Sequence, residues 1–185
     1  MANVDRPNGF IPVGTISGAP VSGLIRAIGV TDGADMFIGD ALNLASGLAA
    51  VGASNDAAFL GVAVGFGKKV NGIASQAYNA ADLNTRYYDD SANTHTDWVV
   101  FYAPADDVIF EVQTATALTK LVGETMDLSA TAGSTTTGNS LHEATTSSAA
   151  DLTVVAVPQL VDNDSTLVWG RYHVMFTRAE QAFHA

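Results

Sequence analysis

Cysteine is absent from the 185-residue chain, which excludes a disulfide framework, a cysteine-ligated metal and a cysteine nucleophile. Both oxidising and reducing compartments tolerate such a chain, so cysteine usage leaves its location open. Basic residues are scarce: 8 Lys and Arg stand against 19 Asp and Glu, a formal net charge of −11. A surface that grips phosphates must be basic, and nucleic acid is therefore not an expected partner. No apolar run reaches bilayer length, and the N-terminus lacks the basic-then-apolar pattern of a secretory signal. These absences predict a soluble protein made in the cytoplasm, with no membrane partner.

Hydrophobic residues make up 48% of the chain and charged ones only 15%. The excess lies in Ala, Val and Leu, with many Gly, Thr and Ser, a composition that favours sheets and tight packing over exposed helices. The length suffices for a real core without covalent staples. An all-β fold follows as the expectation, either barrel-like or a sandwich.

Three of the five prolines, Pro7, Pro12 and Pro20, fall in the first 23 residues together with four glycines. Proline fixes φ and removes a donor, and the glycines interrupt pairing, so residues 1–22 read as an extended arm ahead of a β-rich body at 23–185. The arm's Phe10, Ile11, Pro12, Val13 and Ile16 need burial, which a disordered tail would not. They are the expected contacts with the arm's own domain or a neighbouring subunit. The punctuation by Pro and Gly predicts that the arm adds little to the sheet and that its removal leaves a folded body.

Apolar runs between turn signals place strands at Leu24–Val30, Phe59–Phe66, Trp98–Ala103, Asp107–Thr114, Leu152–Val157, Thr166–Gly170 and Tyr172–Thr177, and Met36–Leu42 reads as a short strand with a Gly39-Asp40 turn. Residues 43–58 read as loop and short strand, because Gly47 and Gly52 interrupt an Ala-rich stretch. Asn71-Gly72 is a hairpin dipeptide, and residues 74–97 read as an elaborated surface loop. Residues 115–123 read as a short helix stopped by Gly123. The Ser/Thr-rich tract 129–150 is a long hairpin or flap, or disordered.

Few groupings invite chemistry. Gly61 to Lys69 resembles a phosphate loop, but Val62 stands where the first glycine belongs and Lys69 where Ser or Thr belongs. Asp162-Asn163-Asp164, Asp106-Asp107, Asp89-Asp90 and Asp32 with Asp35 supply carboxylates without the rest of a calcium loop, and turn chemistry accounts for them more simply. The histidines His95, His142, His173 and His184 show no paired spacing, and no nucleophile elbow accompanies them. Tyr87, Tyr88, Trp98, Tyr102 and Trp169 could stack against sugars or bases, but Trp98 and Tyr102 share a strand face that suits a core or an interface better. No catalytic residue, metal or cofactor is expected.

The opening ANVDRPNGFIPVG, the succession Gly39-Asp40-Ala41-Leu42 then Phe59-Leu60-Gly61-Val62-Ala63, and DVIFEVQT followed by KLVGETMDLSATAGSTTTGNSLHEATTSS resemble structural proteins of tailed bacteriophages, in particular capsid decoration (cement) proteins. The resemblance implies a small all-β protein, often β-tulip or barrel-like. It implies attachment as a homotrimer to the major capsid protein on the outside of the expanded head, with N-terminal arms bridging capsomers and Phe10, Ile11, Pro12, Val13 and Ile16 as the arm's capsid or subunit contacts. Two other readings stand beside it: a capsid or tail-tube subunit, and a carbohydrate-binding β-sandwich using Tyr87, Tyr88 and Trp98. An enzyme ranks last.

Overall fold

The computed structural model describes residues 3–69, 86–146 and 148–183, and the fold among them is built from strands. In chain order these are β1 (Ile11–Thr15), β2 (Arg26–Gly29), β3 (Met36–Phe37), β4 (Ala41–Ala45), β5 (Leu48–Val51), β6 (Phe59–Lys68), β7 (Tyr87–Tyr88), β8 (Trp98–Pro104), β9 (Val108–Gln113), β10 (Thr125–Ser129), β11 (Glu143–Thr145), β12 (Leu152–Ala156) and β13 (Arg171–Phe176). They form a six-stranded sheet in the order β1-β9-β13-β12-β10-β11, a five-stranded sheet in the order β2-β8-β6-β4-β5, and the small β3-β7 pair.

The five-stranded sheet curls until its edges meet. Val30, just past β2, bridges Ala49 of β5, and the Thr31 N–H donates to the Ala49 carbonyl at 2.8 Å. The bend comes from β6, whose register slips against β4 near Leu60 and against β8 at Val64; bulges of this kind raise local twist and coil. At Gly61, φ is +145° and a Cβ would lie 1.9 Å from the Ala103 carbonyl oxygen. Only glycine lets β6 approach β8 so closely there.

The apolar run from Phe59 to Phe66 thereby serves two cores. Leu60, Ala63 and Phe66 point into the curled sheet with Val30, Leu42, Val100 and Tyr102, and β3 and β7 add Met36 and Tyr88 to the same cluster. Phe59 and Val62 point the other way, into the layer shared with the six-stranded sheet, where Phe110, Val112, Leu152, Val154, Tyr172, Val174 and Phe176 face them. The fold is all-β, a barrel-like curled sheet packed on a second sheet.

Two local expectations are corrected and two hold. The segment 115–123 is not helical: the Lys120 N–H goes to the Tyr172 hydroxyl and the Gly123 N–H to the Val154 carbonyl, so other elements take donors a helix would use. Thr166–Gly170 is a turn, because the Asp164 carboxylate accepts both the Thr166 N–H and its hydroxyl and Trp169 has φ +62°. Within 43–58 the chain makes a tight hairpin, β4 to β5, through Ser46 and Gly47, both at positive φ. The tract 129–150 is bounded by a hairpin-like pair: β10 and β11 pair antiparallel from Asp127–Thr145 to Ser129–Glu143. Asn71-Gly72 and residues 74–85 lie outside the described residues.

The arm is the largest correction. Residues 11–15 are an edge strand, paired with β9 from Ile11 opposite Glu111 to Thr15 opposite Val108. Phe10 is only 2% exposed, with its ring 5.7 Å from that of Phe176 and edge-on to Phe110 at 6.4 Å. Pro12 interrupts the donor row, and Val13 is absorbed as a bulge. Of the two surfaces open to it, the arm takes its own domain, and it joins the sheet as an edge strand, against the expectation that its proline and glycine leave it little part in the sheet.

Candidate interaction surface

The five arm residues separate by burial. Phe10 is committed to the protein's own core, and Pro12 is half-buried. Ile11, Val13 and Ile16 remain 42%, 45% and 66% exposed. Beyond the strand, the Ile16 N–H donates to the Asp107 carbonyl at 3.0 Å and the Ser17 N–H to the Asp107 carboxylate at 3.0 Å. These bonds hold Ile16 outward at one end of a strand that is paired on one side only.

Further exposed aliphatic residues lie at the opposite end of the six-stranded sheet. Antiparallel pairing brings the segment before β1, the β9–β10 connection and the β12–β13 connection to that end. Side chains then tie the three together. Asn3 donates to the carbonyls of Asp164 at 2.8 Å and Val168 at 3.0 Å; the Tyr172 hydroxyl bridges the carbonyls of Leu118 at 2.9 Å and Ser165 at 2.7 Å. Asn163 accepts from the Arg171 N–H at 2.7 Å and donates to the Pro158 carbonyl at 2.9 Å. Val4, Leu121, Val122, Leu160, Val161 and Leu167 stand exposed on this framework. Sequence reading missed them because they sit in loops, where no periodicity marks a surface.

The chemical candidates are placed as follows. Tyr88 and Trp98 are buried in the curled sheet, and Tyr87 stacks on Phe37 at 5.1 Å, so this aromatic set does not form an open platform. Asp162 pairs with Arg171 at 2.6 Å, Asp164 serves the turn described above, and Asp107 holds Ser17. His95 lies 3.6 Å from Asp32 and His173 3.5 Å from Glu111; His184 is outside the described residues. Among the described residues no three His, Cys, Asp or Glu side chains converge on a metal position, and no helix is long and apolar enough to cross a membrane.

One buried cluster was not visible in the sequence. Asp40, in the turn before β4, and His142, just ahead of β11, meet with Ser140 where the two sheets join. Asp40 and His142 are 2% and 1% exposed. The His142 Nδ1 accepts the Ala41 N–H at 3.1 Å, which puts the imidazole proton on Nε2, 3.6 Å from Asp40 Oδ1. Asp40 Oδ2 accepts the Phe37 N–H at 2.8 Å, and Ser140 Oγ accepts the His142 N–H at 3.0 Å. With Nδ1 already occupied and the group sealed from solvent, the arrangement clamps the β3–β4 corner to the β10–β11 tract. It does not present a nucleophile to a base.

Burial pushes the Asp40 carboxyl up to about 6, against the pull of Ser140 and the Phe37 N–H, and pushes the His142 imidazole down to about 4. The raised carboxyl contributes stability that is present below its unfolded value and lost as pH rises through 6. The depressed imidazole acts oppositely: between about 6.5 and 4 the unfolded chain binds the extra proton, so stability falls with falling pH. The two slopes oppose each other between pH 4 and 6. Asp40→Asn removes one of them and turns a donor toward Nε2–H. It is expected to make melting temperature fall more steeply than in the parent as pH drops from 6.5 toward 4. Parallel thermal melts across that range check this, and identical pH profiles would refute it.

No protein-family model, no curated protein and no solved structure matches the chain.

Proposed function

We propose that this chain is a structural virion protein, a decoration protein that attaches to the major capsid protein on the outer surface of a bacteriophage head and reinforces contacts between capsomers. The observation that carries the reading is β1: an edge strand paired on one side, with Ile11, Val13 and Ile16 facing outward as a strip through which copies join into the unit that attaches. Pro12 and the bulge at Val13 discourage continuation of the hydrogen-bonded ladder, so contact there runs through side chains. The acidic balance of the chain keeps free copies apart from nucleic acid. The resemblance in the opening segment and the DVIFEVQT stretch supports the same assignment. The protein acts by assembly, as a homotrimer, without a catalytic step or cofactor.

The test is to mix purified protein with heads lacking it and to image the particles. Ordered density at fixed positions on the outer shell is the expected result, and absence of added density overturns the reading. Tubes or shells formed by the chain alone would identify a tail-tube or capsid subunit. In the β1 strip, Val13→Lys with Ile16→Lys is expected to shift the sedimenting species from trimer toward monomer while leaving the melt unchanged, since both side chains are exposed. An unaltered trimer would place the contact between copies elsewhere.

A further inference from the structure

Of the eleven large apolar side chains that stand exposed among the described residues, six crowd one end of the six-stranded sheet: Val4, Leu121, Val122, Leu160, Val161 and Leu167. Scattered surface aliphatics are ordinary, but a cluster on adjoining loops marks a contact surface. These loops are held in place before any partner arrives. Tyr172 ties the Leu118 and Ser165 carbonyls, Asn3 ties the N-terminal segment to Asp164 and Val168, and the Gly123 N–H donates to the Val154 carbonyl at 2.8 Å. The Leu121–Glu124 turn is closed by the Glu124 carboxylate, which accepts the Leu121 N–H at 2.6 Å. Fixed loops lose little conformational entropy on contact, which favours docking.

Charge selects the occupant. Five carboxylates, Asp5, Glu111, Glu124, Asp162 and Asp164, lie along these segments against three bases, Arg6, Lys120 and Arg171, and Arg171 is shared between Asp162 and Glu111. A second copy would bring the same acidic border into opposition, and an anionic lipid surface would be repelled. A protein surface that is apolar at its centre and basic at its margin meets both features.

We propose that this loop end is the docking face for such a protein partner, and that on the virion the partner is the capsid shell. The inference rests on the decoration reading and adds which face of the body meets the shell. It leaves the β1 strip, on the side of the sheet, for contacts between neighbouring copies.

The experiment compares the parent chain with Leu121→Ser/Val122→Ser, with Leu160→Ser/Val161→Ser, and with Phe183→Ser. Phe183 is 57% exposed and follows Ala182, whose N–H bonds the Phe59 carbonyl of β6, past the end of β13 opposite these loops. Binding to heads lacking the protein is measured by co-sedimentation at low and high salt, after thermal melts verify folding. Each loop double variant is expected to bind at least about tenfold more weakly, Phe183→Ser as the parent does, and parent binding to weaken as salt rises. If the parent binds and both loop variants bind equally well, the docking face is wrong and the decoration reading survives. If the parent does not bind at all, the reading and the face fall together. Loss of the free oligomer in the loop variants would assign the face to a second copy. Parent binding to phosphatidylcholine vesicles that the loop variants lack would assign it to a membrane. Either result overturns the proposal.

Discussion

Replacing Phe10 by alanine is expected to lower the free energy of unfolding by about 3–5 kcal/mol, a large share of the stability of an ordinary domain. The ring is 2% exposed and belongs to an aromatic group in which Phe176 also packs on Phe59 at 4.7 Å and on Phe110 at 5.7 Å. Removing it leaves a cavity between the sheets whose walls are strands fixed by their own ladders, so collapse into the void is limited. Ile16→Ala, 66% exposed, serves as the control and is expected to change stability by less than about 0.5 kcal/mol. Deletion of residues 1–15 should do more than Phe10→Ala. It strips β1 from β9, opens a new sheet edge and exposes the ring of Phe176. Denaturant titration of the three variants checks this order. A truncated chain that melts like the full one would show that β1 lies on the sheet without supporting it.

The expected loss of stability on removing β1 is opposite to what the opening sequence suggests, and the reason is physical. Three prolines and four glycines are poor material for a central strand, but an edge strand needs donors on one side only. The sequence identifies residues unfit for the middle of a sheet, and it cannot distinguish an edge from a tail. Where local pattern dominates, the reading carried through: Phe59–Phe66, Trp98–Ala103 and Leu152–Val157 became β6, β8 and β12 with small changes in their ends. These are dense apolar runs bounded by turns, and two-sided burial in β6 explains why its run is continuous rather than alternating. Where a tertiary contact dominates, it failed. The loop 115–123 has helical composition, yet its Lys120, Leu121 and Gly123 N–H groups are drawn to Tyr172, Glu124 and β12. The run from Leu167 to Trp169 has strand composition, yet the Asp164 cap and the positive φ of Trp169 turn it. The candidate surface was half legible: Ile11, Val13 and Ile16 could be named from the arm, while the six loop aliphatics come together only through strand order. The same holds for Asp40 and His142, about a hundred positions apart and joined across the two sheets.

Asp127→Ala is expected to cost about 2–4 kcal/mol and to free the tract that follows β11. The Asp127 carboxylate is 3% exposed and accepts from the Ser148 N–H and hydroxyl, the Ala149 N–H at 2.9 Å and the Ala150 N–H at 2.8 Å. One side chain on β10 thus closes a backbone turn for which no strand partner is available. Burial raises its pKa, but the bonds from Ser148, Ala150 and Ala149 outweigh burial and hold the carboxyl below its ordinary value. A carboxyl depressed in this way contributes stability that is present above its unfolded pKa and lost as pH falls through the folded one. The parent should therefore lose stability steeply at acid pH below about 4, and the alanine variant should lose less over the same interval because it starts without the contribution. Amide exchange gives the local readout: Ala149 and Ala150 should be protected in the parent at neutral pH and exchange rapidly in the variant, while Leu128, whose N–H bonds Asp151 at 2.9 Å, keeps its protection. Equal exchange at Ala149 and Ala150 in both proteins would mean that the tract is held by its neighbours, and that Asp127 follows the turn rather than setting it.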